Sequence, residues 1–201
     1  MKKTILITAV IGFIALASFK MKEETYKADT KLSSLEWNGK KLKGEHNGTI
    51  MLSSGEIIIN KDAVTGGTFE IDMNSLTDKD LTDPSYKTKL EGHLKSADFF
   101  DAQKFPKAKF VITSVTPIKE AKEGGYTHTL KGNLTIKDKT NEISFDAVIK
   151  MAEGKVACVG TATIDRSKFD IKYGSKSFFP EIGDKLIYDE FTVKFNVVAV
   201  K

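Results

Sequence analysis

H-T-L-K-G-N-L-T-I-K-D-K-T-N-E-I-S-F-D-A-V-I-K, residues 128–150, decides the fold class. Leu130, Leu134 and Ile136 alternate with Thr129, Lys131, Asn133, Thr135 and Lys137, and Ile143, Phe145, Ala147 and Ile149 alternate with Ser144, Asp146 and Lys150. A period of two sends successive side chains to opposite faces of a strand, so each run has one dry face and one wet face. Lys137-Asp138-Lys139 falls between the runs as a turn, and the pair reads as a hairpin laid against a core.

The same period recurs in both directions along the chain. Phe69, Ile71 and Met73 alternate with Thr68, Glu70 and Asp72; Phe191, Val193, Phe195, Val197 and Ala199 alternate with Thr192, Lys194 and Asn196. Turn residues at Ser53-Ser54-Gly55, Thr65-Gly66-Gly67, Glu123-Gly124-Gly125 and Glu153-Gly154-Lys155 separate such runs. The pattern predicts eight or nine strands over residues 35–41, 44–52, 56–60, 67–73, 108–116, 126–137, 142–151, 155–165 and 185–200. That number closes an antiparallel barrel whose interior is either filled by side chains or holds one small ligand. A two-sheet sandwich is the competing architecture, and alternation alone does not separate the two.

One helix interrupts the strands, near residues 84–98. Asp83 is placed to cap it, Pro84 suits its first turn, and Tyr86, Leu90, Leu94 and Ala97 recur on one face. An amphipathic helix between barrel strands is expected to cover an open end or a flank. Phe99 and Phe100 follow it directly, and Pro106 forces an extended path into the next strand.

With 201 residues, 40% hydrophobic and 29% charged, the chain can bury a full core in one domain. Its formal charge is +4; without Lys2 and Lys3 it carries 29 basic against 27 acidic residues, a balance that argues against a nucleic-acid partner. Met1-Lys2-Lys3, the apolar run Thr4–Leu16 and Ala15-Leu16-Ala17 read as a secretory signal over residues 1–17, followed by a short linker over 18–24 and the barrel domain over 25–201. The apolar run is shorter than the roughly 20 residues a membrane span needs, so no stable span is expected after cleavage, and export, to the periplasm in a Gram-negative cell, is the expected localisation. Cys158 is the single cysteine and reads as a small buried hydrophobe in a strand.

Three ordered stretches carry a resemblance: H-L-K-S-A-D-F-F-D-A-Q-K-F-P-K-A-K-F (93–110), L-K-G-N-L-T-I-K-D-K-T (130–140) and T-I-D-R-S-K-F-D-I (163–171). Together they resemble the successive signatures of the YceI-like family, exported polyisoprenoid-binding proteins with a lipocalin-like barrel. W-N-G-K-K-L-K-G-E-H-N-G-T-I (37–50) and G-G-T-F-E-I-D-M-N-S-L (66–76) fit the same pattern. Asp138 and Asp170 stand where glycine is frequent in that pattern, and local loop changes are expected there.

The resemblance implies a non-catalytic protein that binds an isoprenoid quinone, a prenyl phosphate or a similar long-chain amphiphile, with no cofactor and with a homodimer left open. The tail would lie in an apolar cavity lined by Phe69, Ile71, Phe99, Phe100, Phe110, Leu130, Leu134, Phe145, Val193 and Phe195. A core-closing role is the alternative for the phenylalanines that follow the helix, Phe105 included. Arg166 either meets an anionic head group or pairs with Asp165 to pin a strand end. His46, His93 and His128 lack the spacing of a metal site, and no nucleophile, phosphate-loop or zinc signature is present in the sequence. An adaptor using the barrel exterior, or a hydrolase whose site forms only in three dimensions, are the alternative functions.

Overall fold

The computed structural model describes residues 23–201. The expected leader and residues 18–22 of the linker lie outside the described residues. Within them the chain forms β1 (Glu24–Ala28), β2 (Ser34–Lys41), β3 (Glu45–Asn60), β4 (Ala63–Asp78), α1 (Pro84–Lys95), β5 (Lys107–Pro117), β6 (His128–Ile136), β7 (Lys139–Ala152), β8 (Lys155–Asp165) and β9 (Ile187–Val200). All pairings are antiparallel. They run β2-β9-β8-β7-β6-β5-β4-β3, and β3 returns to β2, so the sheet closes on itself.

β1 pairs with β3 and β9, the same two neighbours that β2 has. β1 and β2 are therefore two pieces of one strand position, and the barrel has eight positions. The interruption between them is an Asx turn in which the Asp29 carboxylate accepts from the backbone N–H of Lys31 and Leu32 at 2.9 and 3.1 Å. The alternation did not reveal β1, because E-T-Y-K-A is too short to display it.

Two expected turns are not turns. Ser53-Ser54-Gly55 lies within the continuous strand β3, where the register shifts between Leu52 and Ser54 as a bulge. Thr65-Gly66-Gly67 lies within β4, and the chain reverses instead at Lys61-Asp62. Both of those residues have positive φ, 48° and 61°, the mirror-image turn that matches the twist of a hairpin. Lys-Asp lacks the usual glycine, so the sequence hides it. The hairpin between β6 and β7 turns at Lys137-Asp138 as expected, with Lys137 taking φ 57°, and Asp170 adopts the left-handed conformation at φ 57° that its glycine-favoured position requires.

The interior wall is built from phenylalanines laid over glycines. A Cβ on Gly55 would lie 2.5 Å from the Phe69 ring, one on Gly132 would lie 2.5 Å from Phe110, and one on Gly160 would lie 2.7 Å from Phe195. Each ring thus packs against bare backbone and leaves the centre of the barrel open. Gly160→Ala is expected to destabilise the protein by about 1–3 kcal/mol, since its Cβ also meets the Asp146 carbonyl at 2.8 Å. Urea denaturation checks it; an unchanged midpoint would show that the ring moves freely.

α1 begins as the sequence predicts. The Asp83 carboxylate accepts from the N–H of Ser85 and Tyr86 at 2.8 and 3.3 Å. The helix ends at Lys95, before the expected residue 98, where Ser96 turns its N–H and hydroxyl onto the His93 carbonyl. Its apolar stripe is shorter than expected: Leu90 and Leu94 face the barrel interior, whereas Tyr86 is 64% exposed and Ala97 is also exposed. The helix rests on the rim with its C-terminal half over the interior. Glu91 latches it there, accepting from the Thr77 hydroxyl at 2.6 Å and the Asp78 N–H at 2.9 Å. The Thr77 hydrogen bond holds the Glu91 carboxyl below its ordinary pKa, against the opposing effect of burial.

Candidate functional site

A cavity of about 270 Å³ runs inside the barrel. It is lined at one end by Ile57, Val64 and Val156 and at the other by Leu76, Leu90 and Ile187. Val64 and Leu76 belong to the same strand, and the stretch between them measures roughly 40 Å, or about 30 Å along the barrel axis at a typical strand tilt. The lining thus reaches from near one end of β4 towards the other. Tyr26, Ile57, Ile59, Val64, Val156 and Ala199 pack into a cluster that closes the far end.

All ten apolar residues expected to face inward line this cavity: Phe69, Ile71, Phe99, Phe100, Phe110, Leu130, Leu134, Phe145, Val193 and Phe195. The period of two in β4, β5, β6, β7 and β9 turns one face of each strand to it. Phe145 sits between Phe110 and Phe195, with ring centroids 5.5 and 5.3 Å apart. Phe99, 6% exposed, follows α1 and packs its ring beside His93, Phe100 and Tyr173. Phe105 is not among the lining residues; it lies half-buried under the Lys104 ammonium.

Charged and imidazole groups along the wall are confined to the mouth and the region beneath α1: Lys40, Lys41 and His46 from the β2–β3 hairpin, His93 from the helix, and Arg166. The Trp37 indole donates to the Thr77 carbonyl at 3.2 Å. The Cys158 thiol lines the wall further in, where burial pushes its pKa up to about 12 and leaves it a neutral hydrophobe. A wall of this kind leaves an alkyl chain without polar competition and offers any polar end of a guest only the mouth.

Arg166 is the residue the structure reassigns. It is 2% exposed, and Nε donates to the Tyr188 carbonyl at 3.2 Å, Nη1 to the Ile171 and Tyr173 carbonyls at 3.0 and 2.8 Å, and Nη2 to the Ile187 carbonyl at 2.9 Å. Its ion-pair partner is Asp189 at 3.4 Å; Asp165 instead caps the short turn Arg166–Phe169 by accepting from Ser167. Burial lowers the guanidinium pKa, with Asp189 and Asp165 opposing the shift. Burial likewise pushes the Asp189 carboxyl up, but the neighbouring Ser175 and Ser177 hydroxyls and the Arg166 charge outweigh it and hold the carboxyl below its ordinary value. With its fork committed to backbone carbonyls, Arg166 fastens the 171–186 loop to the start of β9 and has little left for a head group.

Sequence spacing missed what happens at His46. Its Nδ1 lies 2.9 Å from Asp80 Oδ2, and Asp78 joins them, although the imidazole and the carboxylates belong to different strands and a following loop. No helix among the described residues is long and apolar enough to cross a membrane.

Comparison with known proteins agrees with this geometry. The family model described as the YceI-like domain matches residues 26–199. A UPF0312 protein of Pseudomonas fluorescens is 33% identical over 115 residues, 54% of this chain and 56% of that protein, so the match spans about half the length of the curated relative. Among solved structures, Burkholderia cenocepacia BcnA has a TM-score of 0.66 at 23% identity, covering 86% of this chain and 99% of that one. A polyisoprenoid binding domain from Saccharophagus degradans, implicated in plant cell wall breakdown, has a TM-score of 0.61 at 12% identity, covering 87% and 97%. The two structures share the fold; the family model reaches from β1 to the end of β9, and on that match the chain belongs to the YceI-like family.

Proposed function

We propose that this protein is an exported, non-catalytic carrier that sequesters an isoprenoid-type lipid, with the tail in the barrel and the polar end at the mouth. The observation that carries this reading is the apolar cavity with its polar groups gathered near one end. Each methylene withdrawn from water contributes about 0.8 kcal/mol, so one five-carbon isoprene unit contributes roughly 3–4 kcal/mol before entropy is counted, and the tail dominates affinity. The polyisoprenoid-binding relative in fold supports the ligand class, and the basic start and apolar run of residues 1–16 support export.

Native mass spectrometry of protein purified without detergent, followed by lipid extraction, tests the function. The expected result is a retained prenyl lipid at up to one per chain. Protein that emerges empty, and that also fails to take up a prenyl quinone and a prenyl phosphate added to it, would overturn the carrier reading and favour use of the barrel exterior.

A further inference from the structure

We propose that His46, Asp78 and Asp80 form a zinc site beside the cavity mouth. Their ligand atoms all lie within 4.8 Å of one another. Asp80 holds the centre: its Oδ1 accepts from the Asn47 N–H at 2.7 Å and its Oδ2 lies 2.9 Å from His46 Nδ1. Asp78 supplies the second, independent observation. It is fully buried at 0% exposure, its Oδ1 accepts from the Leu81 N–H at 2.8 Å, and its Oδ2 is buried with no hydrogen-bond donor among the described residues.

The sealed Oδ2 of Asp78 is thus an acceptor without a donor, close to the Asp80 carboxylate and the His46 ring. A dication seated there would take both carboxylate oxygens and an imidazole nitrogen as ligands and would satisfy the buried oxygen that the protein leaves unpaired.

The donor set selects the ion. One imidazole and two carboxylates with an open fourth position suit zinc, which takes nitrogen as readily as oxygen, whereas magnesium and calcium are hard ions that take oxygen ligands and would leave the imidazole unused. Lys41 Nζ touches the opposite ring nitrogen, Nε2, at 3.5 Å, and its exposed side chain is free to swing into solvent. A bound ion would join β3, through His46, to the end of β4 and the lead-in to α1, through Asp78 and Asp80. The Asp78 N–H is already the point to which Glu91 latches the helix. The inference stands apart from the lipid reading, because the ion needs nothing in the cavity.

The test uses the chain stripped with a chelator and titrated calorimetrically with zinc chloride alone. The expected result is saturable binding of one ion per chain and a higher melting temperature. His46→Gln and Asp80→Asn should each weaken binding about tenfold or more. Asp80 is partly solvent-exposed, so its variant keeps the fold, as circular dichroism should verify, and Asp78→Asn should likewise weaken binding. His93→Gln and His128→Gln should bind as the parent does. Absence of saturable binding, or binding that survives both His46→Gln and Asp80→Asn, would overturn the site; tighter binding of calcium than of zinc would overturn the choice of ion.

Discussion

Arg166→Ala is expected to lower folding stability by about 3–5 kcal/mol, the cost of removing one partner from a buried charged network. The guanidinium satisfies the carbonyls of Ile171, Tyr173, Ile187 and Tyr188 and lies against Asp189, and it is itself 2% exposed. Alanine leaves those acceptors facing a void, with the Asp189 charge unpaired. It also frees the 171–186 loop from the start of β9, since Ile171 and Ile187 lose their common anchor. Arg166→Lys should recover only part of the loss, because an ammonium is a single donor centre and cannot span carbonyls on both sides of the loop. Urea denaturation of the three proteins measures this. A loss under about 1 kcal/mol for Arg166→Ala would mean that water replaces the fork, and that Arg166 is not the fastening it is described as.

Phe195→Asp is expected to abolish lipid retention and to cost about 4 kcal/mol or more. Phe195 lies over Gly160 on one side and against Phe145 on the other, and both phenylalanines line the cavity. A carboxylate at this point has no donor among its neighbours, and a tail threading past it would have to desolvate it completely. Asn196→Asp, one residue along the same strand but on the exposed outer face, introduces the same charge and should change neither quantity. The measurement is native mass spectrometry of both variants, with circular dichroism confirming that each is folded. Should Phe195→Asp fail to fold, Phe195→Trp answers instead by filling the lumen, with loss of retained lipid as the expected result. Equal retention by folded parent and either Phe195 variant would place the ligand somewhere other than the barrel.

What the sequence determined by itself depends on strong, regular signals between neighbours along the chain. A period of two decides which side chains of a strand share a face, so the inward direction of Phe69, Ile71, Leu130, Leu134, Phe145, Val193 and Phe195 was legible without coordinates. Asp83-Pro84 announced the helix start for the same reason, since a cap acts over two or three residues. Where the signal was short or chemically unusual it failed: β1 is only Glu24–Ala28, and the Lys61-Asp62 turn adopts positive φ without glycine. The tertiary structure alone decided relations across the barrel. The register of β3 against β4 sets His46 beside Asp78 and Asp80; the return of the 171–186 loop into β9 gives Arg166 its carbonyls and Asp189 in place of its sequence neighbour Asp165. Local periodicity reports which way a side chain points, while partnership between distant polar groups depends on register and loop path, and these are settled only when the sheet closes and buries them together.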